Sequence, residues 1–211
     1  VSARLPVGVL ISGRGSNMAA LLRASAEPEC PYLIACVLSD RADAAGLEVA
    51  RAGGVATEYV PPIRGDKAAH GALLSECLAA HGCEAVALAG FMRVLADGFC
   101  RDWAGRLLNV HPSLLPAFPG LDTHARALAA GCKLHGCTVH YVVPEVDAGP
   151  IITQAAVPVL DDDTPDTLAA RVLVEEHRLY PQALAAHAAG RLSVQGQRVL
   201  WADVPQPSAL R

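Results

Sequence analysis

The chain has 211 residues, a formal net charge of −4, 52% hydrophobic residues and 18% charged ones. This is a globular composition and not a disordered one, with enough chain for one large core. The acidic balance argues against nucleic acid as the main partner, and no run reaches the ~18 uninterrupted apolar residues of a membrane span.

Apolar segments alternate with helix-length segments along the chain. PVGVLIS (6–12) predicts a first strand, and SNMAALLRAS (16–25) a helix opening at a Ser or Asn cap. YLIACVL (32–38) is the second strand, followed by DAAGLEVARAGG, a helix ending at glycine. VATEYV (55–60) is the third strand and KAAHGALLSECLAAHG the next helix. EAVALAG (84–90) and LLNVH (107–111) supply strands four and five. Buried runs alternating with helices predict an α/β fold: a Rossmann-like, open, mainly parallel sheet with helices on both faces.

Past residue 120 the pattern shifts. DTHARALAAG predicts a helix, while HGCTVHYVV and IITQAAVPVL predict two strands. Residues 163–190 open with an Asp/Thr-Pro cap signal and form a long helix. RLSVQGQRVLWA predicts a hairpin around Gly196, and VPQPSALR a loose tail. With no repeat or linker in sight, one domain is the simplest account. Seven cysteines without a C-x-x-C pair fit reduced, mostly buried thiols. The opening VSARLPVGVLISG lacks a secretory leader pattern, so a cytoplasmic location is expected.

Two places carry chemistry. In ISGRGSN (11–17), Gly13 and Gly15 permit a tight turn between strand and helix, and the helix N-terminus beyond offers free N–H groups to an anion. Ser16 and Asn17 add side-chain donors. A phosphate site is the functional reading, and a plain turn is the bland one. A dinucleotide loop is the rival, with Asp40 near the end of the second strand as its ribose-binding acid, but Met18 occupies the place of the third glycine.

In RLLNVHPSLLPAFPG (106–120), Asn109 and His111 are two residues apart at the end of a strand, so their side chains share a face. Asp147, in the turn PEVDAGPII, is a third polar candidate. A carboxylate beside His111 would favour the imidazolium, and Asn109 would add an amide donor. Together they could stabilise an oxyanion and move a proton, the requirements of acyl transfer to an amine. His135 and His140 flank a predicted strand close by. A metal site is not expected, because no Cys/His cluster has ligand spacing.

SGRGSN, LAGFMRVL, RLLNVHPSLLPAFPGLDTH, HGCTVHYVVPEVDAGPII and EEHRLYP resemble, in order and over residues 6–201, the motifs of the phosphoribosylglycinamide formyltransferase family. The resemblance implies a single formyltransferase domain over residues 1–211, acting in purine biosynthesis as a monomer or homodimer. It implies 10-formyltetrahydrofolate as co-substrate and glycinamide ribonucleotide as formyl acceptor. By the same resemblance, Gly15, Ser16 and Asn17 would hold the substrate phosphate, and Glu176 its ribose hydroxyls. Asn109, His111 and Asp147 would be catalytic. Lys67, Met92, Arg93, Val94 and Leu95 would border the folate together with Asn109. From the residues alone, LAGFMRVL reads as a strand running into a loop, and Glu176 as a solvated helix carboxylate.

The chain departs from the family pattern in three places. Lys67, with Arg64 close by, stands for a folate-contacting arginine, Asp122 for a histidine, and Leu173 for a polar residue one turn before Glu176. A formyltetrahydrofolate hydrolase would share the catalytic trio and use water as acceptor. A dinucleotide-dependent oxidoreductase and a non-catalytic phosphosugar-binding module are the readings from other classes.

Overall fold

The alternation of strands and helices produces one nine-stranded sheet in a computed structural model that describes residues 3–202. In chain order the elements are β1 (Leu5–Ile11), α1 (Ser16–Ser25), β2 (Tyr32–Ser39), α2 (Ala45–Ala52), β3 (Ala56–Tyr59) and α3 (Lys67–Ala80). Then come β4 (Ala85–Leu88), α4 (Asp97–Asp102), β5 (Leu107–His111), α5 (Thr123–Ala129) and β6 (Leu134–Tyr141). The chain continues with β7 (Ile151–Pro158), α6 (Pro165–Ala188), β8 (Leu192–Gln195) and β9 (Arg198–Trp201). The expected loose tail at 204–211 lies outside the described residues. No helix among those described is long and apolar enough to cross a membrane.

The strands lie in the order β3-β2-β1-β4-β5-β6-β7-β9-β8. From β3 to β5 every pair is parallel, as the buried runs predict. β6 and β7 then pair antiparallel, and the β8–β9 hairpin joins the far edge through a parallel pair with β7. Because β5 and β6 run in opposite directions, their connection leaves and re-enters at the same edge of the sheet. That connection is the proline-rich loop followed by α5.

Alternation along β1 shows how both faces are filled. Val7, Val9 and Ile11 pack into a core with Met18 and Leu21 of α1, Leu47 of α2, and Tyr180 and Leu184 of α6. Leu10 faces the other side, where Leu74 and Leu78 of α3 meet Phe99 and Trp103 at α4. The Tyr180 hydroxyl is fully buried and donates to the carbonyls of Leu88 and Leu108, tying α6 to the ends of β4 and β5.

Helix ends follow local chemistry. α6 opens on Thr164, whose side chain accepts from the Thr167 amide in a capping box, with Pro165 in the first turn. α1 differs from the expected Ser or Asn cap. Its cap is Gly15 in the left-handed conformation, with no side-chain cap bond and no acidic residue in the first turn. Gly15 has φ +71, which glycine adopts without steric cost. α4 has no counterpart among the predicted helices, since six residues hold too little periodicity to show.

Candidate active site

β1 lies between β2 and β4, so the chain order reverses at its carboxyl end, where open sheets of this kind bind ligands. The loop after β1 and the loop after β4 are fastened together there. The Ser12 amide donates to Gly90 O at 3.1 Å, and the Ser12 hydroxyl accepts from the Met92 amide at 2.8 Å.

The glycine loop is also seated against α2. The Gly46 amide donates to Gly13 O at 3.0 Å. A Cβ on Gly46 would stand 2.6 Å from Ile11 Cδ1 and 3.1 Å from Gly15 Cα, and one on Gly15 would stand 2.9 Å from Gly46 Cα. The two backbones touch because neither residue carries a side chain. In the first turn of α1, Asn17 is buried and its Nδ2 donates to Glu176 Oε2 at 2.6 Å. Glu176 is therefore buried, contrary to its expectation as a solvated carboxylate. Burial raises its pKa from the ordinary carboxylate value, and the bond from Asn17 works against that rise. Asn17 and Glu176 thus come together where α1 meets α6.

Asn109 and His111 leave β5 on the face that α3 and α4 cover. They line a cleft of about 560 Å³, within the usual range for small-molecule sites. The same cleft is lined by Met92, Arg93, Val94, Leu95, His140, Asp147 and the segment 142–146. Met92, Val94, Leu121 and Val146 stand at 55–75% exposure around it, an apolar rim above polar groups. Lys67, the exposed first residue of α3, lies outside this lining, as does Arg64.

Hydrogen-bond roles fix the state of the inner groups. His140 Nδ1 is 2.8 Å from Tyr141 O, a carbonyl that can only accept, so Nδ1 carries the proton. Burial lowers the His140 pKa and keeps the ring neutral. Its Nε2 then accepts from Asn109 Nδ2 at 3.2 Å, which turns the Asn109 amide nitrogen toward the site. His111 is held differently. Nε2 lies 3.0 Å from Phe118 O and Nδ1 lies 3.4 Å from Asp147 Oδ2. Both nitrogens face acceptors, so the doubly protonated ring satisfies both. Asp147, at φ +53 in its turn, also accepts from the Gly120 amide at 2.8 Å and stands 3.9 Å from His140 Nε2.

The proline-rich loop is what brings Phe118 O and Gly120 N to these groups. Thr138 of β6 donates to Ser113 O at 2.7 Å and accepts from the Leu115 amide at 3.0 Å. Gln154 of β7 donates to Leu115 O and to the Thr138 hydroxyl. Thr123 closes the loop by donating to Pro112 O at 2.7 Å.

Sequence reasoning missed the roles of Thr138, Gly46 and the neutral His140. The i, i+2 spacing of Thr138 and His140 was the available signal for a shared face. His135 stays out of the cleft lining: it lies behind, ring to ring with His124 at 5.2 Å. Asp40, the acid of the dinucleotide rival, is buried and bonded to Arg93 Nε at 2.7 Å. That pairing takes up Oδ2, while Oδ1 is buried with no hydrogen-bond partner. Among the described residues no group of three or more His, Cys, Asp or Glu is placed to hold a metal ion.

Comparison with known proteins gives one answer from several directions. Residues 6–184 match the family described as Formyl transferase. The phosphoribosylglycinamide formyltransferase of Escherichia coli K12 is 43% identical over 196 residues, covering 92% of each chain. The crystal structure of glycinamide ribonucleotide transformylase 1 from Symbiobacterium toebii superposes with a TM-score of 0.93 at 48% identity, covering 96% of each chain. The bovine trifunctional purine biosynthetic protein adenosine-3 is 44% identical over 198 residues, 92% of this chain, which spans only 20% of that longer protein.

Proposed function

This chain belongs to the formyl transferase family, in its phosphoribosylglycinamide branch, and we propose that Asn109, His111 and Asp147 carry its chemistry. The activity is formyl transfer from 10-formyltetrahydrofolate to the amine of glycinamide ribonucleotide, in purine biosynthesis. The observation that carries the residue assignment is the His111 ring, held between Phe118 O and the Asp147 carboxylate inside an apolar-rimmed cleft.

Gly15, Ser16 and Asn17 hold the substrate phosphate at the uncapped N-terminus of α1, whose amides have no competing side chain. Glu176 accepts from the ribose hydroxyls, kept in place by Asn17. The nucleotide then reaches across the carboxyl edge of the sheet toward the cleft. The residues around that cleft suit a folate: apolar side chains of Met92, Val94 and Leu95 flank the ring, and the backbone of this segment offers it polar groups. Arg93 is tethered to Asp40, and this reading leaves Lys67 without a contact in the folate cleft.

The folate supplies the formyl group. His111 Nδ1–H, only loosely held by Asp147 at 3.4 Å, and the Asn109 amide donate to the oxyanion that develops as the amine attacks. Asp147 takes the proton that the attacking nitrogen must lose, and that proton passes to the folate nitrogen as its bond to the formyl carbon breaks. His140 acts through Asn109 and is a positioning residue.

Asn109, His111 and Asp147 all come from one chain, which supports action as a monomer or as one subunit of a homodimer. Seven free thiols support a cytoplasmic location. The test is a spectrophotometric assay of folate deformylation with and without glycinamide ribonucleotide. Turnover only with the nucleotide is expected, and turnover in its absence would favour the hydrolase.

A further inference from the structure

Away from the cleft, three thiols gather on the α3 side of the sheet. Cys36 projects from β2 and is fully buried, while Cys83, just before β4, is half-buried. Their sulfurs are 3.7 Å apart, although the central strand β1 runs between the two segments. The contact exists because β1 carries Gly8 at that point. Cys36 is the register partner of Gly8, placed there by a bulge after Val7. A Cβ on Gly8 would stand 3.1 Å from Cys83 Sγ, 3.6 Å from Cys36 Sγ and 2.1 Å from Leu78 Cδ2. The Glu84 amide donates to Pro6 O at 2.8 Å, which anchors the Cys83 segment alongside β1. Glycine at position 8 thus lets two thiols from neighbouring strands meet over its backbone.

We propose that Cys36 and Cys83 are a redox-active thiol pair, converted to an intramolecular disulfide by peroxide-class two-electron oxidants. The pair has an unequal division of roles. Either sulfur can donate in the contact between them; that contact lowers the Cys83 pKa, while the same contact and burial raise that of Cys36. Cys83, the reachable member, attacks one peroxide oxygen as its thiolate. The O–O bond breaks, Cys83 becomes a sulfenic acid, and the released hydroxide takes up a proton to leave as water. Cys36 sulfur then attacks the sulfenic sulfur. The S–S bond forms, the S–O bond breaks, and a second water leaves with the Cys36 proton. Two thiols give two electrons to one peroxide. Closing the sulfurs from 3.7 Å to the ~2.05 Å of a bond draws the Cys36 and Cys83 segments toward each other across β1.

The third thiol is excluded by its neighbour. Cys77 on α3 is pushed up to about 11 by burial and by the Glu58 carboxylate beside it, so it stays protonated and unreactive.

The test treats the whole native protein with hydrogen peroxide in small excess, then blocks remaining thiols with N-ethylmaleimide in denaturant, and maps cysteines by mass spectrometry without reduction. Expected are a Cys36–Cys83 linked peptide, five of the seven cysteines alkylated, and recovery of both thiols with dithiothreitol. In Cys36→Ser, where no second thiol is in reach, Cys83 is expected to persist as a sulfenic acid trapped by dimedone. Cys83 oxidised to sulfinic acid while Cys36 remains alkylatable in the native protein would overturn the proposal. So would all seven thiols surviving, or a disulfide with another partner.

Discussion

At the scale of single residues, the site separates its histidines by what surrounds each ring. His111 faces acceptors on both nitrogens, whereas His140 faces one carbonyl and one amide donor and is at home neutral. His135, nearly without exposure and with no hydrogen-bond partner on either nitrogen, is the extreme neutral case. Burial lowers its pKa to about 4, against an ordinary value near ~6.5. Between those values the unfolded chain binds a proton that the folded chain refuses. Stability from this residue is therefore complete above about pH 6.5 and is lost as pH falls toward about 4. Urea denaturation of His135→Leu should show a smaller loss between pH 7 and pH 5 than the parent, by about 2 kcal/mol. Equal losses in the two proteins would remove His135 as a source of acid sensitivity.

At the scale of elements, loops carry the site and strands hold the loops. Thr138 on β6 has three bonds to the proline-rich loop and its brace Gln154, and those bonds set where Phe118 O and Gly120 N stand. Thr138→Val keeps the volume and removes the bonds, so it should cost about 1–3 kcal/mol of stability. It should also lower kcat about tenfold or more with KM for folate little changed. An unaltered kcat in a destabilised variant would show that the loop holds its shape without β6. Gly46 plays the matching part for the glycine loop. Gly46→Ala puts a methyl against Ile11 and Gly15, and should raise KM for the nucleotide about tenfold or more while folate affinity stays constant. A rise in the folate constant instead would place the disturbance on the wrong side of the sheet edge. Much of this architecture was legible from sequence because β1 to β5 are buried on both faces and read as plain apolar runs. Asn109, His111 and Asp147 were legible from spacing and turn chemistry. Thr138 and Gly46 were not, since each acts through a contact with a segment distant in the chain. Glu176 was misread from its residues alone because its burial depends on α1 packing against α6, which helix periodicity does not reveal.

At the scale of the whole molecule, the topology separates the residues proposed to meet the nucleotide from those proposed to meet the folate. One face carries α1 and α6 with the glycine loop, Asn17 and Glu176; the other opens into the apolar-rimmed cleft with Asn109 and His111. We propose that the reaction takes place where the edge between them is crossed, beside the fastening of Ser12 to Gly90 and Met92. Binding groups and reacting groups therefore lie on separate elements, and the account predicts that they can be damaged separately. The most direct measurement is kcat for formyl transfer in His111→Ala, with folate and nucleotide both saturating and each binding constant measured alongside. A fall of roughly 10²–10³ in kcat, with both binding constants within a few-fold of the parent, is the predicted result. A kcat within a few-fold of the parent would mean that the Asn109–His111–Asp147 cluster is not where the formyl group changes hands.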